Sequence, residues 1–142
     1  MREERTAMKE LITSAGAPAS AGPYSPGLTV GGWIFLSGQG GFDPRTGQLV
    51  SDDIAGQTAQ AFRNVEALLH AAGASLGDVV SCLVHVSDLG QLAEFNASYE
   101  EQFPGPAKPV RTTVRADLIG GMRVEVTVIA SKPEHERAHA GA

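Results

Sequence analysis

The chain contains one cysteine, Cys82. No intramolecular disulfide can form, and the sequence suits a reducing, cytoplasmic setting. Long hydrophobic runs are missing too: nothing approaches the roughly 20 apolar residues that a membrane-spanning helix needs. The first residues, Met1-Arg2-Glu3-Glu4-Arg5, carry both signs of charge with no hydrophobic segment behind them, unlike a secretory leader. Basic residues are scarce and scattered, 11 Lys and Arg against 16 Asp and Glu, for a net charge of −5. Nucleic-acid-binding chains usually show a basic stripe, and none is visible. Neither nucleic acid nor membrane is therefore an expected partner. The four histidines, at positions 70, 85, 135 and 139, show no ligand spacing, so a metal site is unsupported.

What is present fits one α+β domain. The 142 residues divide into a leader over 1–8, a single domain over 9–131 and a polar tail over 132–142. Glu10 to Ser14 reads as a short strand, and Gly22-Pro23-Tyr24-Ser25-Pro26-Gly27 is dense in turn formers. Leu28-Thr29-Val30 and Trp33-Ile34-Phe35-Leu36 flank Gly31-Gly32, a dipeptide that reaches positive φ cheaply, so a hairpin is expected there. The continuous apolar run of its second strand predicts burial on both faces. Ser37-Gly38-Gln39-Gly40-Gly41 then ends the strand in a glycine-rich loop, which can free backbone N–H groups but lacks phosphate-loop spacing.

From Asp52 or Asp53 to about Ala72, apolar residues recur at helical spacing: Ile54, Thr58, Ala61, Phe62, Val65, Leu68 and Leu69. Gly73 closes that helix, which carries no assigned chemistry. Val79 to Ser87 follows as an apolar strand in which Cys82 reads as a small buried hydrophobe. A second helix begins at Ser87 or Asp88 and runs through Leu92, Phe95, Asn96, Tyr99 and Phe103. Two helices and about six strands predict one mixed sheet with both helices packed on one face.

The last two strands hold the polar residues of most interest. Val110, Thr112 and Val114 alternate with Arg111, Thr113 and Arg115, and Val124, Val126 and Val128 alternate with Arg123, Glu125 and Thr127. Leu118-Ile119-Gly120-Gly121 between them suits a hairpin turn. Pairing the two strands with their valines in the core puts Arg111, Thr113 and Glu125 together on the opposite, semi-polar face. The same pattern also describes an ordinary solvated cross-strand pair, stabilising by roughly 0.2–1 kcal/mol. A face of that kind is often closed by oligomerisation.

Several short segments occur in order: Gly22-Pro23-Tyr24-Ser25, Ile34-Phe35-Leu36-Ser37-Gly38-Gln39, Asp43-Pro44-x-Thr46-Gly47, Gln57-Thr58, Asn64-Val65, Ala71-Ala72-Gly73-Ala74-Ser75, Asp78-Val79-Val80, Asn96-x-x-Tyr99, Pro109-Val110-Arg111-Thr112-Thr113-Val114 and Val124-Glu125-Val126. Together they resemble the Rid family, the YjgF-like reactive enamine and imine deaminases. The match covers roughly residues 9 to 131. The resemblance implies a chorismate-mutase-like fold and a homotrimer with its sites in clefts between subunits. It implies hydrolysis of 2-aminoacrylate and related 2-imino acids to 2-keto acids and ammonia, with neither metal nor organic cofactor.

By the same resemblance, Arg111 holds the substrate carboxylate and Glu125 works with the attacking water. Tyr24, Ser37, Gly38 and Asn96 match positions lining the pocket. A guanidinium fork suits a bidentate grip on a carboxylate, and a lysine would copy it poorly. Where many relatives carry a cysteine this chain has Thr113, counted among the substrate-binding candidates. Thr127 stands where a second glutamate is frequent, and Gly40-Gly41 replaces a bulkier pair. These departures bear on which substrate is taken. A pathway-specific relative, such as a 2-aminomuconate deaminase, would want a second cation for its second carboxylate, with Arg115 or Arg123 as candidates. A non-catalytic 2-keto-acid sensor would need Arg111 but gain nothing from the anion at Glu125. A ribonuclease or translation inhibitor fits the acidic composition least.

Overall fold

The computed structural model describes residues 8–133. The leader over 1–7 and the tail from 134 onward lie outside them. Six strands and two helices follow the expected order: β1 (Glu10–Ile12), β2 (Gly27–Val30), β3 (Trp33–Leu36), α1 (Ile54–Ala71), β4 (Val79–Val86), α2 (Leu92–Gln102), β5 (Val110–Arg115) and β6 (Val124–Ser131). They form one mixed sheet in the order β1-β2-β3-β6-β4-β5, in which only β4 and β5 run parallel. Among the described residues no helix is long and apolar enough to cross a membrane.

Local chemistry explains the elements that came out as expected. The β2–β3 hairpin turns at Gly31, whose φ of 61° suits a residue without a Cβ. Helix α1 starts after Asp53 in extended conformation. It ends with the Gly73 N–H donating to the His70 carbonyl and the Ala74 N–H to that of Leu69. With Gly73 at a φ of 83°, this is a Schellman closure. Helix α2 is preceded by a short 3₁₀ turn over Leu89–Gln91, capped by the Asp88 carboxylate accepting from the Gly90 N–H. Its Phe95 and Tyr99 and the following Phe103 lie four residues apart. The Tyr99 and Phe103 rings meet Phe62 of α1 edge-on, at centroid distances of 5.7 and 5.3 Å. Both helices cover one sheet face, made of Ile34, Leu36, Val84, Val86, Val124, Val126 and Val128, all buried.

The expected β5–β6 hairpin does not form. Strand β4 lies between the two, parallel to β5 and antiparallel to β6. The glycines do turn the chain, Gly120 at φ 67° and Gly121 at φ 78°. A turn, however, says nothing about how far apart its strands land. The residues over 116–123 are long enough to step over the end of β4, since each extended residue reaches about 3.3 Å.

Faces change with the pairing. Arg111 lies opposite Cys82 and Thr113 opposite Val84, so both belong to the helix-covered face, as does Arg115 opposite Val86. Glu125 lies opposite His85, and His85 opposite Val114, on the uncovered face. Val110, Thr112 and Val114 are therefore outside the core. Alternation tells which residues share a face, but not which face the helices cover. Strand β3 is corrected likewise: Ile34 and Leu36 are buried, while Trp33 and Phe35 point to the uncovered side. That side keeps Glu125 and Thr127 as expected, with His85 and Thr112, but its large exposed residues are apolar: Trp33, Phe35, Leu83, Val110 and Val114 are between 38% and 71% exposed.

Cys82 is buried in β4 as expected. Burial pushes its thiol up to about 11, against the smaller opposing pull of the neighbouring Tyr99 hydroxyl and Arg111 guanidinium. Burial raises the Tyr99 phenol as well, and the nearby Cys82 adds to that rise. For both, the folded state resists losing the proton.

Two stability predictions follow from this packing. The stability that Cys82 contributes is complete below the unfolded thiol's 9.0 and is lost as pH rises through about 11. Urea unfolding should show wild type losing up to about 3 kcal/mol relative to Cys82→Ala across that window, at 1.36 kcal/mol per unit. A flat difference would place the thiol in a more polar setting. At Gly41 a Cβ would lie 2.6 Å from the Gln57 Cα and 2.7 Å from its carbonyl oxygen, both backbone atoms of α1. Gly41→Ala should thus destabilise by about 1–3 kcal/mol. Gly105→Ala, with nothing within 4 Å of the added methyl, should stay within about 0.5 kcal/mol.

Candidate active site

The site begins where the β3–β6 ladder breaks. Phe35 pairs with Ile129, and the next pairing is Gln39 with Val126. Four steps on one strand oppose three on the other, which is the count of a bulge. The bulge turns Ser37 and Gly38 out of the ladder. Ser37 is held there from two directions: its N–H donates to the Pro26 carbonyl at 2.9 Å and its hydroxyl to the Ser25 carbonyl at 2.6 Å. Its side chain is thus engaged by the backbone of the Tyr24 loop. The Gly38 N–H, by contrast, has no acceptor among the described residues.

Glu125 comes down on Gly38. A Cβ at position 38 would lie 2.7 Å from both Cδ and Oε2 of the Glu125 carboxylate. Only glycine lets the carboxylate settle this close to the backbone. Beside them opens a cavity of about 470 Å³, bounded among others by Tyr24, Gly38, Glu125, Phe42, Ile119 and Met122. Tyr24 is half-exposed, and its hydroxyl accepts from the Ala21 N–H at 3.2 Å, folding the ring back along its own loop. Glu125 is the one charged side chain among the described residues lining this cavity.

Helix α1 holds the far wall. The buried Asn64 amide donates to the carbonyls of Gly40 and Phe42 at 3.1 and 2.9 Å. Buried Gln57 accepts from the Arg123 N–H at 2.8 Å and donates to the Ser51 carbonyl at 3.0 Å. These two amides are seven residues apart, two turns along one helix face. Each ties a cavity-forming segment to the core, so the helix does more than fill space. Sequence reasoning counts Gln57 and Asn64 among the family-like segments but gives the helix no role in the site, although two polar residues seven apart within an apolar stripe were an available signal.

Arg111 stands elsewhere. Its guanidinium carbon lies 4.8 Å from the Tyr99 ring centre and 5.3 Å from that of Phe95, stacked on α2. It aligns through Cys82 with Val128, three residues along β6 from Glu125. That is a step of about 10 Å along the sheet and about 10 Å across two strand spacings, on opposite faces. Thr113 shares the Arg111 face, and Asn96 is exposed on α2. The structure therefore sorts the candidates into separate groups. Tyr24, Gly38 and Glu125 line the cavity. Ser37 stands next to Gly38 but is engaged by the Ser25 and Pro26 carbonyls. Arg111, Thr113 and Asn96 belong to the edge strand and the helix beside it. Among the described residues no three of His, Cys, Asp and Glu gather as a metal-ligand set.

Comparison with known proteins agrees with this architecture. The family model described as endoribonuclease L-PSP matches residues 14–132. A RutC family protein of Pyrococcus horikoshii is 40% identical over 126 residues, spanning 88% of this chain and 99% of that one. The 2-iminobutanoate/2-iminopropanoate deaminase of Salmonella typhimurium is 38% identical over 126 residues, spanning 87% and 98%. A Rid-family protein structure from Yersinia pestis superposes with a TM-score of 0.84 at 34% identity, covering 87% of this chain and 99% of its own. Sequence and fold together make this chain a member of the YjgF/Rid family.

Proposed function

We propose that this protein is a hydrolytic deaminase of 2-imino acids and their enamine tautomers, working at sites formed between copies of a homotrimer. The observation that carries the reading is the Glu125 carboxylate seated on Gly38 at the cavity. The deaminase relative of 38% identity supports the same chemistry.

An iminium carbon is already electrophilic, so the protein's task is to hold the substrate and deliver water to it. Glu125 takes a proton from the water as its oxygen bonds to the carbon, giving a tetrahedral amino alcohol. The carboxyl then returns that proton to the nitrogen. The carboxylate takes the hydroxyl proton as the C–N bond breaks and the C=O bond forms. The 2-keto acid is left, and ammonia carries off that second proton as ammonium. An enamine enters the sequence after protonation at its β-carbon. The Gly38 N–H, which has no acceptor among the described residues, would donate to the substrate or to the new oxygen. The substrate carboxylate goes to the Arg111 fork, which suits a planar two-oxygen partner.

Within one copy Arg111 and Glu125 face opposite sides of the sheet, so they cannot grip one small substrate together. A neighbouring copy supplies the missing member. The uncovered face, with Trp33, Phe35, Leu83, Val110 and Val114, is the surface on which copies would pack.

Imines generated by an amino-acid oxidase should decay faster with wild type. Arg111→Ala and Glu125→Gln should each lower that acceleration by about 10²–10⁴-fold. Unfolding and refolding the two variants together should restore activity in about a quarter of the sites, those pairing an intact glutamate with an intact arginine. A mixture as inactive as its components would remove the shared-site arrangement. No acceleration by wild type would remove the enzyme reading. Gly38→Ala meets only the movable end of Glu125, so it should leave stability within about 1 kcal/mol while lowering kcat/KM tenfold or more, since a displacement of about 1 Å suffices.

A further inference from the structure

The cavity lining has a polar part and an apolar part. Glu125 seated on Gly38 supplies the first, and Phe42 and Met122, both against Gly40, supply the second. The apolar end exists because of two glycines. A Cβ on Gly40 would fall on the Met122 sulfur, 3.0 Å from its Cγ and 3.3 Å from a Phe42 ring carbon. A Cβ on Gly120 would lie 3.2 Å from the tip of the Phe42 ring. Met122 is itself buried, so its side chain is packed into the wall and not lying across the opening.

Size and charge say what this end can take. Allowing about 30 Å³ for each water-sized group, the six heavy atoms of 2-iminopropanoate fill about 180 Å³, well under half of the 470 Å³ available. An acidic side chain would bring a second anion into a space whose one charged described residue is already a carboxylate. Arg123, the nearest cationic candidate in sequence to Met122, directs its guanidinium to the Asp52 carbonyl. Arg115 lies on the helix-covered face. An uncharged side chain longer than a methyl group has apolar surface to bury and no polar group left unpaired.

We infer that Gly40 and Met122 form a specificity-determining pair that selects 2-imino acids with extended apolar side chains, Met122 setting the depth of the side-chain pocket. This rests on the deaminase reading of the same site. Gly40 leaves the room into which Met122 withdraws. A larger residue at 40 drives the thioether into the cavity.

The test compares imines made in situ by an oxidase from alanine, leucine, phenylalanine and glutamate. Wild type should show kcat/KM for the leucine-derived imine about tenfold or more above the alanine-derived one, the scale of a few buried methylenes. The glutamate-derived imine should be the poorest. The ratio of phenylalanine- to alanine-derived activity should rise severalfold in Met122→Ala and fall severalfold in Gly40→Ala. A leucine-to-alanine ratio near one, or both variants leaving the ratios unchanged, overturns the inference while the deaminase reading stands. No acceleration of any imine overturns both. Calorimetric binding of 4-methyl-2-oxopentanoate, pyruvate and 2-oxoglutarate to wild type gives a readout independent of turnover and of variant folding. The same order of affinity is expected, and equal or reversed affinities would overturn the pair's role.

Discussion

Strand β4 is paired along both edges, and its two registers decide where every polar residue of interest goes. Cys82 aligns Arg111 with Val128, and His85 aligns Val114 with Glu125. Because side chains alternate with period two, those alignments put the arginine on the helix side and the glutamate on the other. Had β5 and β6 been direct neighbours with their valines inward, the two charges would have met on one surface as an ordinary pair. The insertion of β4 keeps them from neutralising each other. Each is left with capacity for something outside its own copy. Arg111 rests on the faces of Tyr99 and Phe95, a contact that orients the guanidinium without consuming its donors.

A second constraint is close approach of backbone. Gly38 admits the Glu125 carboxylate, Gly40 admits Met122, and Gly41 admits the α1 backbone at Gln57. These three glycines lie within four consecutive residues, and each serves a different neighbour. The loop they form would be loosely held by itself. Asn64 fastens it to the core by donating to two of its carbonyls, an arrangement that uses both amide hydrogens of one buried side chain. Precision at the cavity thus comes from a helix none of whose residues lines it, in line with the need to support a site from rigid elements.

The legible parts of the chain were those governed by local rules. The Gly31-Gly32 hairpin, the Gly73 helix end and the stripe on α1 are each specified within a few residues, and each formed as read. So did the number of strands and the placing of both helices on one face. Arg111 and Glu125 were recognisable by their chemistry and motifs, but their faces were not. Facing depends on which strand lies between them, a long-range choice that a turn at Gly120-Gly121 cannot disclose. Val110 and Val114 misled for a related reason. An apolar residue in a strand is taken as core, yet here it lines an uncovered face. Met122 and Phe42 escaped notice because a cavity wall made of ordinary hydrophobes leaves no mark in the sequence.

That uncovered face and the divided site share one explanation within the proposed assembly. A sheet face bearing Trp33, Phe35 and Leu83 is unfavourable to leave in water, and covering it drives association. If association also brings one copy's Arg111 to another's cavity, the same burial that holds the copies together completes the chemistry. An isolated chain would then expose an anionic, apolar pocket able to take the side chain of an imino acid but not to hold its carboxylate. Binding strength and turnover would both depend on the copies being together, without any hinge or lid. Selectivity is different in kind. The apolar end at Phe42 and Met122 is built entirely inside one copy, so the choice of side chain would be encoded locally even where the reaction needs two chains.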